Sequence, residues 1–276
     1  MSVMQLAVSN IAWSAEETRR VLGVLKALGA AGVEVAPTRI AEWDDLDEQR
    51  LKIYRREIEG EGLRVSSLQA ILFGKPGATL LGDEAGFDAL LEHMAKVSDI
   101  AETLGAGTLV FGAPKNRLRG ALSPEEARAL GRERFGRLAA MLSGRSVVIG
   151  IEPVPAFYGG DFLASAQSVI DMVRLVNAPN IRVHLDTGCA KLGGDDIGNA
   201  IRAAGDLLCH FHAAEPNLRD FSAPAMDHSG ASQALRDAHY GRWVAIEMRD
   251  SPEKAVEAVR QAVQWVSRTY AIGGFG

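Results

Sequence analysis

Short apolar runs alternate with longer amphipathic stretches along the whole chain. Eight runs have the β-branched, nearly continuous apolar character of strands buried on both faces: QLAVS (5–9), GVEVA (32–36), RVSSLQAI (64–71), GTLVFG (107–112), SVVIGIE (146–152), IRVHLD (181–186), LLCHFHA (207–213) and WVAIEM (243–248). Between them lie helical patterns such as EETRRVLGVLKALGAAG and FDALLEHMAKVSDIAETLG. Helix starts are marked by Ser14 with Glu17 three residues on, a predicted capping box, and by Ser123 with Pro124 and Glu126. A further Ser-Pro entry stands at 251, and glycine closes several helices in GAAG, GEG and LGAG. Eight strand–helix units in 276 residues give about 34 residues each, the size of a βαβ repeat. The most economical reading is one α/β domain over residues 1–276, a (β/α)8 TIM barrel. A doubly wound open sheet is the runner-up, disfavoured because AVSNIAWS, without a G-x-G-x-x-G pattern, follows the first strand.

Composition narrows the function classes. With 47% hydrophobic residues the chain can build a large core, and a net charge of −5 without a lysine/arginine block removes the electrostatic footprint of nucleic-acid binding. No apolar run is long enough to span a bilayer, and MSVMQLAVSN lacks a basic, signal-like start. Cys189 and Cys209 suggest no disulfide framework. The expectation is a soluble cytoplasmic protein with reduced thiols and no membrane or nucleic-acid partner.

In a barrel of this kind the C-terminal strand ends build the active site. Strands five to eight end on Glu152 (IEP), Asp186 (HLDTG), His212 (HFHAAEP) and Glu247 (IEM), with gaps of 34, 26 and 35 residues, about one βα unit each. Each strand thus supplies one metal-competent side chain at one level. Any single strand-end acid can be a helix cap or loop charge; four at matching positions point to a shared ion. Three carboxylates and one imidazole favour a single divalent cation with octahedral habits, Mn²⁺ first, with Mg²⁺, Co²⁺ or Zn²⁺ as alternatives.

These motifs, with GVEVAP on strand two and LGAGTLVFGAPKNR around strand four, resemble the xylose isomerase-like TIM-barrel superfamily. The branch in question is that of sugar (phosphate) isomerases and epimerases, including ketose 3-epimerases and hydroxypyruvate isomerases. The resemblance covers nearly the whole chain. It implies that Glu152, Asp186, His212 and Glu247 bind one divalent metal, and that Glu152 and Glu247 act as acid and base on opposite faces of the substrate. Two positions depart from the ketose 3-epimerase pattern. Tyr158 stands where a second glutamate is usual, and Cys189 where a histidine is usual. Arg219 lies near, but not at, the usual place of an arginine after the H-x-H pair.

Further residues are candidates for substrate contact or for supporting the ligands: Glu34, His184, His210, Glu215, Arg219 and Tyr158. His184 shares a strand face with Asp186, and His210 with His212; satisfied core histidines are the alternative. Trp13, Phe73, Phe111 and Phe157 are candidates to wall the pocket, against ordinary packing. Lys115 and Arg117 either meet an anionic substrate group or line a solvated loop. MDH (226–228) either closes the site, binds a second metal or does neither. The function expected is a metal-dependent sugar isomerase or epimerase working through an enediolate on a small ketose, aldose or polyol carbonyl, in a chain that forms homo-oligomers as the resembled family often does. A dehydratase of the inosose or dehydroshikimate type is the alternative. An endonuclease IV-like enzyme is less favoured, since strand three offers Gln69 and no histidine precedes His93.

Overall fold

The computed structural model describes residues 3–252 and 254–272. Eight parallel strands close into a barrel in sequence order: β1 (Gln5–Ser9), β2 (Gly32–Val35), β3 (Arg64–Leu68), β4 (Thr108–Phe111), β5 (Val148–Ile151), β6 (Ile181–Asp186), β7 (Leu208–Ala214) and β8 (Trp243–Glu247). The helices between them are α1 (Thr18–Ala27), α2 (Glu48–Gly60), α3 (Glu84–Leu104), α4 (Pro124–Met141), α5 (Ala166–Val176), α6 (Thr187–Gly193), α7 (Ile197–Ala204), α8 (His228–Asp237) and α9 (Ala255–Tyr270). The fold is the TIM barrel that the strand–helix rhythm predicts, and the runner-up open sheet is excluded by the β1–β8 pairing.

Alternation along each strand divides the labour. One set of strand residues, including Leu6, Val8, Val33, Val35, Leu109, Ile149, Val183, Phe211 and Ile246, joins the apolar core shared with the helices. The intervening positions are small or polar: Ala7, Ser9, Glu34, Ser67, Gly150, His184, Asp186, His210, His212 and Ala245. The lumen is therefore a polar shaft wrapped by an apolar shell. Phe111 belongs to the shell, packing edge-on against Phe135 of α4 with ring centroids 5.7 Å apart, so it does not wall the pocket.

Two register irregularities fall where the chemistry lies. The β2–β3 ladder shifts between Val33 and Glu34, and β6–β7 shifts between Val183 and His184. Such shifts re-aim the side chains that follow. The β3–β4 seam is thin, with only Leu68↔Leu109 in register.

Local signals hold in part. Ser123 and Glu126 form the expected capping box with Pro124 at the first helical position of α4. The box at Ser14 does not form: Ala15–Glu17 make a 3-10 turn, Ser14 gives no side-chain cap, and α1 starts at Thr18. Helix α9 starts at Ala255, beyond the Ser251–Pro252 entry, and Glu253 lies outside the described residues. Strand β3 ends at Leu68, three residues before the apolar run does, because Ala70 turns left-handed at φ 51°. Among the described residues no helix is long and apolar enough to cross a membrane.

Candidate metal centre

The register of the last strands brings the expected side chains together. Asp186 pairs with His212 across β6–β7, and Glu247 with Ala214 across β7–β8. Glu152 follows β5, its amide still donating to the Phe111 carbonyl at 3.1 Å. From these positions His212 Nδ1 lies 3.5 Å from Asp186 Oδ2 and 3.3 Å from Glu247 Oε2. Glu152, Asp186 and His212 each offer a ligand atom within 4.8 Å of the others. Three of the four predicted ligands thus offer atoms to one point, and Glu247 reaches His212 beside them.

Neighbours fix how they face it. Asp186 caps α6, its Oδ1 accepting the Cys189 amide at 2.6 Å, which leaves Oδ2 buried and without a hydrogen-bond partner. His212 Nε2 donates to Glu34 Oε2 at 3.0 Å, so Nδ1 is the ring nitrogen that faces the carboxylates, again without a hydrogen-bond partner. Glu34 is completely buried. It also accepts from His210 Nε2 at 2.8 Å, Ser67 Oγ at 2.7 Å and Gln69 Nε2 at 3.2 Å. Beside Glu152, Gly112 leaves essential room: a Cβ there would stand 2.2 Å from Glu152 Oε2. Behind it, buried Arg117 donates from Nη2 to the Glu152 carbonyl at 2.6 Å, while Nε and Nη1 remain unpartnered. Arg117 is therefore a backbone support and is not open to an anionic substrate.

The electrostatics follow from burial and neighbours. Burial, then Asp186 and Glu247, push the Glu152 carboxyl up to about 8. Burial also raises Glu247, against the pull of His212. Burial alone would raise Glu34, but His212 and His210 outweigh it and hold Glu34 well below the carboxylate range. His212 shows the converse: burial pushes it down, yet Glu34 and Glu247 leave it raised well above an ordinary histidine. Three crowded carboxylates and an imidazole nitrogen that would give up its proton to a metal, with Asp186 Oδ2 and His212 Nδ1 buried and unpartnered, fit a hard divalent cation.

The supporting candidates separate. His184 is buried with Nε2 3.7 Å from Glu152 Oε1, and its ring packs edge-on to His212 at 4.2 Å. Tyr158 approaches the β7 loop, where its hydroxyl accepts the Asn217 amide at 3.0 Å. Glu215, expected at the substrate or behind a ligand, instead anchors its own loop. It accepts from the Ala225 amide at 2.8 Å and from His228 Nε2 at 2.9 Å, while His228 Nδ1 meets Tyr270 at 2.7 Å. The MDH motif serves that anchor, with Asp227 capping α8. Arg219 is exposed and makes no hydrogen bond or ion pair with the cluster among the described residues. Trp13 is buried, donating to Thr18 Oγ1 at 3.3 Å. Ser67 and Gln69 are additions that motif reading passes over as site residues; their signal is two polar residues at strand spacing within SSLQ.

Glu152 and Glu247 line a cavity of about 520 Å³, completed by residues 69–76 after β3 and by Val110 and residues 112–116 of β4 and its loop. Phe73 and exposed Lys115 belong to this lining. Phe157 lies 60% exposed outside it, edge-on to Tyr158.

A barrel whose last four strands converge on such a centre belongs to a defined class, and comparison with known proteins names it. Residues 22–269 match the family model described as xylose isomerase-like TIM barrel, and the chain belongs to that family. It is 28% identical over 245 residues to a D-psicose 3-epimerase of Agrobacterium fabrum, covering 85% of this chain and 80% of the relative. Among solved structures, a D-psicose 3-epimerase in the presence of D-fructose superposes with a TM-score of 0.82 at 22% identity, covering 97% of this chain and 99% of the other. The IOLI protein with a bound zinc atom superposes with a TM-score of 0.75 at 18% identity, covering 97% and 98%.

Proposed function

We propose that the protein is a divalent-metal-dependent epimerase or isomerase of a small ketose, aldose or related polyol carbonyl, acting by removal and return of a proton. The observation that carries this reading is that Glu152 and Glu247, from β5 and β8, line one cavity with Asp186 and His212 placed between them in strand order. The epimerase activity named for the Agrobacterium fabrum relative supports it. Glu152, Asp186, His212 and Glu247 are the residues to hold the ion, Mn²⁺ foremost given their oxygen-rich set. When bound, such an ion supplies Lewis-acid polarisation of the substrate carbonyl, which acidifies the neighbouring C–H.

The remaining work falls to side chains. One glutamate takes the proton from the carbon beside the carbonyl, and the other returns a proton to the opposite face. Glu34 fixes the tautomer of His212 by accepting its Nε2–H, keeping Nδ1 free for the centre. Gly112 and Arg117 hold Glu152 at its carboxylate and backbone ends respectively.

Turnover of ketoses by Mn²⁺-loaded protein in D₂O tests this. Deuterium should enter the product at the carbon next to the carbonyl. Turnover without solvent deuterium would withdraw the two-glutamate proton route, and a product lighter by one water would assign the dehydratase chemistry instead.

A further inference from the structure

The other end of the barrel carries a cavity that the metal centre does not use. Its volume is about 550 Å³, and it lies under the strand starts. Gln5, Arg64, Thr108, Val148 and Trp243, the first residues of β1, β3, β4, β5 and β8, all line it. In a barrel of this kind the reaction belongs to the opposite mouth, so a ligand held here is not the substrate in turnover.

What singles this cavity out is an excess of donors over acceptors. Its charged groups are three arginines, Arg55, Arg64 and Arg242, against one acid, Glu59, in a chain whose net charge is −5. Glu59 is already taken, accepting Arg55 Nε at 2.7 Å, and the amide oxygen Gln5 Oε1 accepts Arg64 Nη2 at 3.1 Å. Among the described residues, the Arg242 guanidinium, Trp243 Nε1 and Thr108 Oγ1 have no hydrogen-bond partner. Thr108 is only 7% exposed, so this lining holds a buried hydroxyl that the protein itself leaves unmatched. An adjoining cavity shares Gly241 and Arg242 and adds Arg182 and Asp206, one charge of each sign, which leaves the positive excess standing.

Arginine at this end of a barrel has a plain task, which is to neutralise helix C-termini. Arg55 performs it, donating from Nη1 to the Thr103 carbonyl at 3.1 Å near the end of α3. Arg64 is held by stacking, its Cζ 5.4 Å from the Trp243 ring centroid. Arg242 has neither task. A free guanidinium fork matches phosphate oxygens two at a time, and indole and hydroxyl donors extend such a shell. An uncharged ligand brings donors as well as acceptors, whereas a phosphate dianion brings acceptors alone. We propose that the N-terminal mouth of the barrel is a second binding site, for a phosphate dianion, either free or as the monoester of a small metabolite. Arg242 and Arg64 are its principal partners, with Trp243 Nε1 and Thr108 Oγ1 as further donors. No residue of the metal centre takes part, so the site stands apart from the epimerase reading.

Calorimetric titration of the Mn²⁺-loaded protein with inorganic phosphate and with glycerol 2-phosphate tests this, with citrate as a carboxylate control. Binding should saturate and weaken as salt rises. Stripping the metal should leave it in place, because the cavity lies at the mouth opposite Glu152 and Glu247. Arg242→Ala, a change at an exposed side chain, should weaken it about tenfold or more, the scale of losing a charge-assisted hydrogen bond, with Mn²⁺ affinity unchanged. Tighter binding of the monoester assigns the site to a phosphorylated metabolite, and tighter binding of inorganic phosphate assigns it to the free ion. Absence of saturable binding, binding that disappears with the metal, an affinity indifferent to Arg242→Ala, or citrate preferred to both phosphates would overturn the proposal.

Discussion

Two glutamates of the same shaft, the fully buried Glu34 on β2 and the partly buried Glu152 after β5, live in opposite worlds. Both Glu34 oxygens are served, by a serine, two histidines and a glutamine amide, and its carboxyl is held low. Around Glu152 stand Asp186 and Glu247, a thiol 3.8 Å away and a histidine nitrogen at 3.7 Å, and its carboxyl is raised to about 8. Glu34 is fully buried and Glu152 only slightly open to the cavity, so their partners distinguish them more than burial does. A carboxylate surrounded by donors is a fixture that orients others, while one crowded by other carboxylates, with only a thiol donating to it, favours a cation or a proton.

The comparison can be broken most forcefully at Glu34. Glu34→Gln leaves two buried histidines without their anion, and the metal-free protein should lose about 3–5 kcal/mol in urea denaturation, the scale for breaking a buried pair. Mn²⁺ affinity should fall about 10–100-fold as the His212 ring loses its orientation. A loss within about 0.5 kcal/mol, the scale of an ordinary surface change, would mean Glu34 anchors nothing.

Glu152→Gln should behave in the reverse way. Turnover should drop about 10²-fold or more, while the metal-free protein keeps or gains stability, because a glutamine has no charge to surrender on burial beside Asp186 and Glu247. Metal content measured on the same sample separates lost chemistry from lost metal. A mutant that melts well below the parent would place Glu152 with Glu34 as a structural anchor.

The smallest expected effect sharpens the contrast from outside the cluster. His93 lies under the cavity wall, its Nε2 donating to the Ile71 carbonyl at 2.7 Å, and burial lowers its pKa. The unfolded chain then binds the proton more tightly, so this contribution is complete above the ordinary histidine range, near 6.5, and fades as pH falls through it. His93→Gln should flatten part of the decline in unfolding free energy between about pH 7.5 and 5. The low carboxyl of Glu34 acts further down, its stabilisation present above the carboxylate range and lost only in stronger acid. An unchanged slope in His93→Gln would show that His93 accommodates its proton.

The strands were legible because β-branched runs recur at barrel spacing, and the strand-end acids and His212 because IEP, HLD, HFH and IEM place them about one βα unit apart. The polar shaft was harder to see. Alternation in GVEVA sets Glu34 apart from its neighbours, but Ser67 and Gln69 carry no chemistry that singles them out until their hydrogen bonds to Glu34 appear. Arg117 eluded reading because a left-handed Ala113 redirects the PKNR turn, burying a guanidinium that its sequence context suggests is at the surface. Glu215 and His228 find each other only once the β7 loop is folded. Ser14 failed as a cap because the first turn there tightens to a 3-10 geometry.

Gly112 couples two positions that the chain separates. An alanine there meets only the tip of the Glu152 side chain, which can swing aside, so the fold has an easy accommodation. The site does not, because the same swing carries the carboxylate away from Asp186 and His212. Tolerance and competence therefore part company at this residue: a library sorted by expression or melting would admit substitutions that a library sorted by turnover rejects. Positions 112 and 152 then drift as a pair, each restricting what the other can become.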